Sequence, residues 1–289
     1  ELTGGMLMRN HHAAQVVWLR YAAHLALLLA VLLPWKGAPA FATTRPLLQA
    51  LRGLCMFGMP AGFILAVDYT STRWIWIVFW TMPAMALVGA WLLLRERPPL
   101  SAWAGAALGV AAAAAIMRGS PGALAGTLAA LVMGGSFAGY IVLSRLLRHE
   151  RLGASLLWTG LGAFVPISLL VGRVWTPVAA TDLVPALLTG VLSILILGAF
   201  DLSLEDAPVA LVAPLIPIVL VWEVLLGGLA HGRPVTGAAA LGSALALAGT
   251  ATVLLARARS AGLRPGAEPV APVALATGAA AVDDSGGAV

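Results

Sequence analysis

The chain has 289 residues, of which 61% are hydrophobic and only 10% are charged, and its mean hydropathy is +0.96. No soluble domain of this length could cover such a surface with polar groups, so the composition places the chain in a lipid bilayer. The only cysteine, Cys55, lies in an apolar run, which excludes an internal disulfide and a thiolate metal cluster. The net charge of +5 comes from arginines spread singly over the loops, a pattern that sets topology and does not predict nucleic-acid binding.

Nine apolar runs are long enough to cross a bilayer, which takes roughly 20 residues in a helix. They lie at about 15–34, 47–67, 74–94, 101–117, 122–144, 153–172, 183–200, 207–230 and 235–256. These runs predict an all-α polytopic membrane protein.

Two parts of the chain repeat one pattern at an offset of about 133 positions. In the first part Asp68 closes an apolar run, Pro83 interrupts the next, and residues 95–98 end it. In the second part Asp201, Pro217 and residues 231–234 take the same places. A duplication with helix-interrupting prolines in matching positions is typical of secondary transporters.

The repeat predicts ten helices, five in each half. The counterpart of the run at 122–144 falls before residue 12, so we expect the first helix to be largely missing from the start of the chain. An odd number of helices per half inverts the second copy, which gives two inverted-topology repeats. We expect the first repeat at 1–118, the second at 119–257, and a disordered low-complexity tail at 258–289.

Lysine and arginine counts predict the orientation. The side of the membrane that holds the C-terminus carries eleven of these residues and the other side carries six. Because the positive side is cytoplasmic, we expect the C-terminal tail in the cytoplasm and the protein in a bacterial-type inner membrane.

The pattern resembles the EamA type of the drug/metabolite transporter (DMT) superfamily over roughly residues 15–257. The motifs that carry the resemblance are residues 17–21 opening a helix, Arg52 and Gly53 opening the next, residues 66–70 closing it, then Pro83, Trp91 and Glu96. The resemblance implies ten helices, a central cavity between the halves, and secondary transport of small metabolites or drugs. In the second half the counterpart of Glu96 is Gly232, which departs from the pattern.

Glu223 is the sharpest candidate for chemistry, because it lies well inside the run at 207–230. A carboxylate there costs roughly 2 to 3 kcal/mol, and burial would raise its pKa and fit it for proton coupling. The alternative is a carboxylate that hydrogen-bonds a neighbouring helix or reaches the interface.

Prolines and tryptophans mark the expected solute path. Pro83, Pro214 and Pro217 interrupt helices, which is tolerated against protein or a water-filled cavity, although such kinks also serve packing. Trp76 and Trp80 share one helix face and could wall a cavity for an aromatic or cationic solute. An interfacial aromatic belt is the alternative, with Trp80 the better cavity candidate.

Two further pairs are candidates. Arg20 and His24, one helical turn apart, could hold an anionic group or a proton, or could be an interfacial arginine and a satisfied polar residue. Asp68 and Asp201 end equivalent helices and could act as gates. The alternative is two solvated helix ends, with Asp201 in an acidic loop.

Small residues predict close helix contacts. Gly105 and Gly109 form a GxxxG pattern, and Gly242, Ala246 and Thr250 form a similar stripe. Whether these faces pack within one chain or form a homodimer stays open at this stage.

The sequence therefore predicts a secondary active transporter of a small organic solute, an exporter coupled to protons or to exchange, with no cofactor or metal. The lack of a GxxxxGK[ST] motif argues against a pump with its own ATPase. A membrane-embedded enzyme is the first alternative, and HExxH and GxSxG motifs are absent from the sequence. A non-transporting remnant of a transporter is the second.

Overall fold

The computed structural model describes residues 2–232 and 234–262, and its regular structure there is helical throughout. The α-helices are α1 Leu2–Leu7, α2 Ala13–Lys36, α3 Pro46–Val67, α4 Thr72–Phe79, α5 Met82–Leu93, α6 Leu100–Met117, α7 Leu124–Leu146, α8 Leu152–Val171, α9 Ala180–Asp206, α10 Val209–Val212, α11 Val219–His231 and α12 Gly237–Gly262. Short 3₁₀ helices occupy Ala38–Phe41 and Ala213–Ile218. The predicted all-α class is confirmed.

Nine helical stretches in the described residues are long and apolar enough to cross a membrane. Seven of them are single helices. The other two are composite: Thr72–Leu93 joins α4 to α5, and Val209–Leu229 joins α10, a 3₁₀ segment and α11. The nine runs expected from hydropathy are therefore present as nine spans.

The first composite span is interrupted at Trp80 and Thr81, between α4 and α5. Pro83 has no amide hydrogen, so the carbonyl of Phe79 loses its usual helical donor. Next to it, the Thr81 hydroxyl and the Thr81 amide both donate to the Val78 carbonyl, at 2.7 and 3.0 Å. The break is thus stabilised locally, and α5 starts afresh with Pro83 in its first turn.

The second composite span is interrupted in the corresponding place. Its 3₁₀ segment Ala213–Ile218 contains Pro214 and Pro217, both buried. Gly105 and Gly109 of α6 make room for these rings: a Cβ added at Gly109 would lie 2.5 Å from Pro217 Cγ, and one at Gly105 would lie 3.2 Å from Pro214 Cβ. Helix α6 of the first half therefore packs directly on the break in the second half.

The small-residue faces are occupied within the chain. Besides its contact with Pro214, Gly105 faces Val253 and Gly249 of α12, and Gly242 faces Ala112 and Ile116 of α6. Because α6 and α12 pack closely along this stripe, the glycines serve packing inside one bundle.

Two boundaries differ from the sequence prediction. Helix α9 continues to Asp206, so Asp201 lies inside the helix and the expectation that it belongs to an acidic loop is wrong. Helix α12 continues to Gly262, beyond the predicted start of the tail at 258. The rest of that predicted tail, from residue 263 onward, lies outside the described residues, as does Arg233.

Candidate functional site

Arg52 is the largest fully buried side chain of the described residues, with 1% of its surface exposed. It lies in the second turn of α3, where Pro46 begins the helix. Gly53 beside it lets α8 approach, since a Cβ added at Gly53 would lie 2.5 Å from the Trp158 carbonyl oxygen. The close crossing of α3 and α8 thus encloses a guanidinium group that would otherwise reach water.

Asp201 of α9 is the charged partner of Arg52. Arg52 Nη1 lies 3.1 Å from Asp201 Oδ1 and 3.2 Å from Oδ2, and it donates to Ser144 Oγ of α7 at 3.2 Å. Arg52 Nη2 donates to Thr159 Oγ1 of α8 at 2.8 Å and to the Ser155 carbonyl. Four helices therefore converge on one guanidinium group.

Tyr140 of α7 completes this group of side chains. Its hydroxyl donates to Asp201 Oδ1 at 3.4 Å, and Arg52 Cζ lies 5.4 Å from the centre of its ring. We call Arg52, Tyr140, Ser144, Thr159 and Asp201 the Arg52 cluster. It holds one buried positive and one buried negative charge, which attract each other strongly away from water.

Some polar atoms at the Arg52 cluster have no hydrogen-bond partner among the described residues. They are Arg52 Nε and both amide atoms of Gln49, which is fully buried one turn earlier on α3. Buried polar groups are almost always hydrogen-bonded, so donors and an acceptor are available here. A cavity of about 170 Å³ adjoins the cluster and is lined by Arg52, Ser144, Asp201 and Glu205 among others.

A second set of contacts joins the halves at the same end of the bundle. Glu96, at the end of the first composite span, accepts hydrogen bonds from the amides of Val209 and Ala210 at 3.3 and 3.1 Å. Arg145 Nε lies 3.8 Å from Glu96 Oε1. Arg145 Nη1 donates to the carbonyls of Leu204 and Glu205, both at 2.7 Å. Glu96 thereby caps α10, the first piece of the broken span in the second half.

Glu150 lies beside the cavity and binds the loop that precedes α3. Its carboxylate accepts from the hydroxyls of Thr43 and Thr44, both at 2.6 Å, and from the Thr44 amide at 3.3 Å. Partial burial raises the pKa of Glu150, but these hydrogen bonds outweigh it and hold the pKa below its ordinary value.

A different polar cluster lies at the other end of α9. His11 Nε2 is 3.0 Å from Asp182 Oδ2, and His11 Nδ1 is 2.7 Å from Thr176 Oγ1. Gln15 pairs with Thr176 through two backbone contacts: its Nε2 donates to the Thr176 carbonyl at 2.7 Å, and its Oε1 accepts from the Thr176 amide at 2.9 Å. We call His11, Gln15, Thr176 and Asp182 the His11 cluster.

Helix α9 connects the two clusters. Asp182 lies in its first turn and Asp201 near its end, a separation of about 28 Å at the rise of an α-helix. That separation is close to the thickness of the hydrocarbon core of a bilayer. Each end of α9 is therefore held to the first half of the chain by one carboxylate, paired with His11 at one end and with Arg52 at the other.

The predicted aromatic residues belong to a column of rings. Trp76 is half-buried and packs against Phe63 and Phe79, with ring centres 6.1 and 5.3 Å apart. Trp80 is buried, lies 5.7 Å from Phe79, and has an indole N–H without a hydrogen-bond partner among the described residues. Phe79 continues through Phe137 to Tyr140, so the column reaches the Arg52 cluster.

Arg20 and His24 contact different partners. Arg20 is half-buried, and its guanidinium lies 5.5 Å from the ring centre of Tyr21. His24 is fully buried, donates from Nε2 to the Leu156 carbonyl at 3.2 Å, and has Nδ1 3.3 Å from Ser193 Oγ. Its ring therefore bridges α2 to α8 and α9.

Asp68 and Glu223 lie outside both clusters. Asp68 caps the end of α3 and is exposed, whereas its equivalent Asp201 is inside the Arg52 cluster. Glu223 lies on the outer surface of α11 within a membrane span, and its role in proton coupling stays a prediction. Pro83 begins α5, and Pro214 and Pro217 lie in the 3₁₀ segment against α6.

The clusters contain residues that the sequence reading did not select, chiefly Arg52, Tyr140, His11 and Asp182. The motif of Arg52 and Gly53 predicts a helix start, where an arginine commonly reaches water, so the sequence does not predict the burial of Arg52. His11 and Asp182 lie at the predicted ends of spans, where a polar residue is ordinary. Their pairing depends on contacts 171 positions apart.

Comparisons with known proteins agree with this architecture. The model of the EamA-like transporter family matches residues 2–118. One solved structure, described only as "Crystal structure of protein", superposes on 90% of this chain and 95% of its own chain, with a TM-score of 0.77 and 20% sequence identity. At that identity the likeness shows a shared fold and no more. No curated protein matches the sequence.

The family match and the nine apolar helices together make this an integral membrane protein. The family consists of transporters, in agreement with the resemblance stated from the sequence. The match over residues 2–118 is thus consistent with an EamA-type transporter of the DMT superfamily.

Proposed function

We propose that the protein is a secondary active transporter that moves a small organic metabolite or drug across the membrane by alternating access. The observation that carries the proposal is the buried pair of Arg52 and Asp201, which joins a helix of residues 1–118 to a helix of residues 119–257. In alternating access the two halves separate at one end while they stay together at the other. A hydrogen-bonded carboxylate at each end of α9, Asp182 with His11 and Asp201 with Arg52, provides contacts suited to such a cycle.

Helix packing supports two structurally related halves. At an offset of about 133 positions, α2 corresponds to α8 and α3 corresponds to α9. Helix α2 packs on α9, and α8 packs on α3, so one contact is the counterpart of the other. The same correspondence relates the packing of α3 on α7 to that of α9 on α1. This pairing is what two inverted repeats around a pseudo-twofold axis would produce.

The Arg52 cluster is the proposed place where a solute acts on the cycle. Arg52 lines a cavity that suits only a small solute, and its Nε is a buried donor without a hydrogen-bond partner among the described residues. A polar group bound there would compete with Asp201 for Arg52 and loosen the contact between the halves. The aromatic column that ends at Tyr140 would face the apolar part of the same solute.

The proposed direction is export. The excess of arginine and lysine supports a cytoplasmic C-terminus in a bacterial-type inner membrane, and on that orientation the loop before α3 is cytoplasmic as well. On that orientation the Arg52 cluster and its cavity face the cytoplasm, where an exporter collects its solute. Proton flow or exchange of a second solute would drive the cycle.

Solute flux in proteoliposomes tests the proposal. The purified protein is assayed with a panel of amino acids, amines and aromatic metabolites, with and without a pH gradient, beside Asp201→Asn and the control Asp206→Asn. Asp206 is exposed at the end of the same helix and carries the same charge. Saturable flux that is lost in Asp201→Asn and kept in Asp206→Asn supports the proposal. Equal flux in all three proteins, or none for any solute in the unmodified protein, contradicts it.

A further inference from the structure

The His11 cluster fixes the positions of its own hydrogen atoms. The Thr176 amide can only donate and the Thr176 carbonyl can only accept, so their bonds to Gln15 place Oε1 toward the amide and Nε2 toward the carbonyl. Gln15 Oε1 also lies 2.9 Å from the Thr176 hydroxyl. An amide oxygen cannot donate, so the hydroxyl gives its single hydrogen to Gln15.

The Thr176 hydroxyl can then only accept from His11. Because Nδ1 lies 2.7 Å from that oxygen, Nδ1 carries a hydrogen. The other ring nitrogen, Nε2, lies 3.0 Å from Asp182 Oδ2, an oxygen that already accepts from the Ala179 amide at 3.0 Å. A hydrogen is needed between Nε2 and Oδ2 as well. That hydrogen is on Nε2 or on Oδ2, and in either place the pair of His11 and Asp182 holds one proton more than a neutral imidazole beside a carboxylate.

Loss of that proton would break the contact. The hydrogen bond to Thr176 keeps a hydrogen on Nδ1, so after the loss Nε2 has only a lone pair, which faces the carboxylate of Asp182. Both side chains are largely shielded from water there. Two acceptors at hydrogen-bond distance repel each other, and water would enter between α2 and α9 to separate them. The pair of Arg52 and Asp201 differs here, because arginine keeps its charge at every physiological pH.

We propose that His11 and Asp182 form the proton site of the transporter, and that release of one proton opens this end of the bundle between α2 and α9. The inference rests on the alternating-access transport proposed above and names its coupling ion. Of the charged and titratable groups nearby, Asp182 is the one that contacts the ring. Thr176 and Gln15 are uncharged, and Arg9, His12 and Arg173 are exposed.

Thiol labelling of purified protein tests the site without any solute. Cys55, the native cysteine, is replaced by serine, and Val16→Cys provides a reporter that packs against Leu7 and Ala186 between α2 and α9. The labelling rate of Val16→Cys is divided by that of Thr181→Cys, an exposed position at the same end. This ratio removes the intrinsic pH dependence of thiol reactivity. We expect the relative rate to rise with pH over the range in which the proton is released, by up to about tenfold per pH unit, the limit for one linked proton.

Variants show which residues cause the pH dependence of the labelling rate. His11→Gln and Asp182→Asn should each abolish the pH dependence of the relative rate, whereas His12→Gln, a change in the adjacent exposed histidine, should retain it. Absence of pH dependence in the parent protein, or its persistence in His11→Gln, overturns the proposal. Labelling needs no substrate, so the two proposals can fail separately. A pH-dependent labelling rate in a protein without flux would refute the transport function alone. Flux with a pH-independent labelling rate would refute the proton site alone.

Discussion

Arg52 and Asp201 are 149 positions apart in the chain, yet Arg52 Nη1 lies 3.1 Å from Asp201 Oδ1 between the two halves, where their side chains are 1% and 11% exposed. The guanidinium also donates to Ser144 and Thr159, so α3, α7, α8 and α9 all depend on this one group. The pair is a structural contact between the two halves, and it is where we propose that a polar solute acts.

Removing one charge from this pair should be costly. Asp201→Asn leaves the buried guanidinium uncompensated, and we expect it to lower the free energy of unfolding by about 3 to 5 kcal/mol. Arg52→Gln should cost a similar amount, and the double variant less than the sum of the two, because each single change already abolishes the shared interaction. Thermal unfolding in detergent measures all three. Strict additivity would mean that the pair does not interact.

The carboxylate of Glu150 should make stability depend on pH. The pKa of Glu150 is lower in the folded protein than in the unfolded chain, where it is about 4.3. The charged carboxylate therefore stabilises the fold fully above that value, and this stabilisation is lost as the pH falls through the folded-state pKa. The melting temperature of Glu150→Gln should therefore be lower than that of the parent protein at pH 7, and the gap should close toward pH 3. A gap that is independent of pH would show that the hydrogen bonds of Thr43 and Thr44 do not favour the charged form.

The crossing of α3 and α8 should not tolerate a methyl group. A Cβ added at Gly162 would overlap the backbone of Gly53, so Gly162→Ala should destabilise the fold by about 1 to 3 kcal/mol. Gly198 of α9 provides the control, because an added Cβ there meets nothing within 4 Å. Gly198→Ala should be neutral or stabilising by up to about 1 kcal/mol, the helix-propensity difference between the two residues. Equal melting temperatures for the two variants would contradict the close crossing.

Two candidate proton sites can be separated by flux. Glu223 is exposed on α11, whereas His11 and Asp182 are buried between the halves. We expect Glu223→Gln to keep the pH dependence of solute flux and His11→Gln to lose it. Flux in proteoliposomes between pH 6 and pH 8 decides between them, with His12→Gln as control. Loss of pH dependence in Glu223→Gln alone would restore the assignment made from the sequence.

Sequence periodicity predicted the spans well because a membrane helix must be apolar along its whole length. The breaks near Pro83 and Pro217 followed from the missing proline amide, a local property. Burial of a single side chain is not local: Arg52 lies near a helix start, where arginine commonly reaches water, and only the packing of α8 against Gly53 encloses it. Glu223 shows the reverse case, since its helix is apolar but packs mainly on α12 and leaves the carboxylate exposed.

The most direct measurement of alternating access uses pairs of spin labels at both ends of α9 in a Cys55→Ser background. Leu47→Cys with Leu202→Cys reports the Arg52 end, and Asn10→Cys with Thr181→Cys reports the His11 end. All four positions are exposed. Adding Asp201→Asn should lengthen the distances at the Arg52 end while those at the His11 end stay short. Lengthening at both ends, or at neither, would contradict a cycle in which the two ends open in turn.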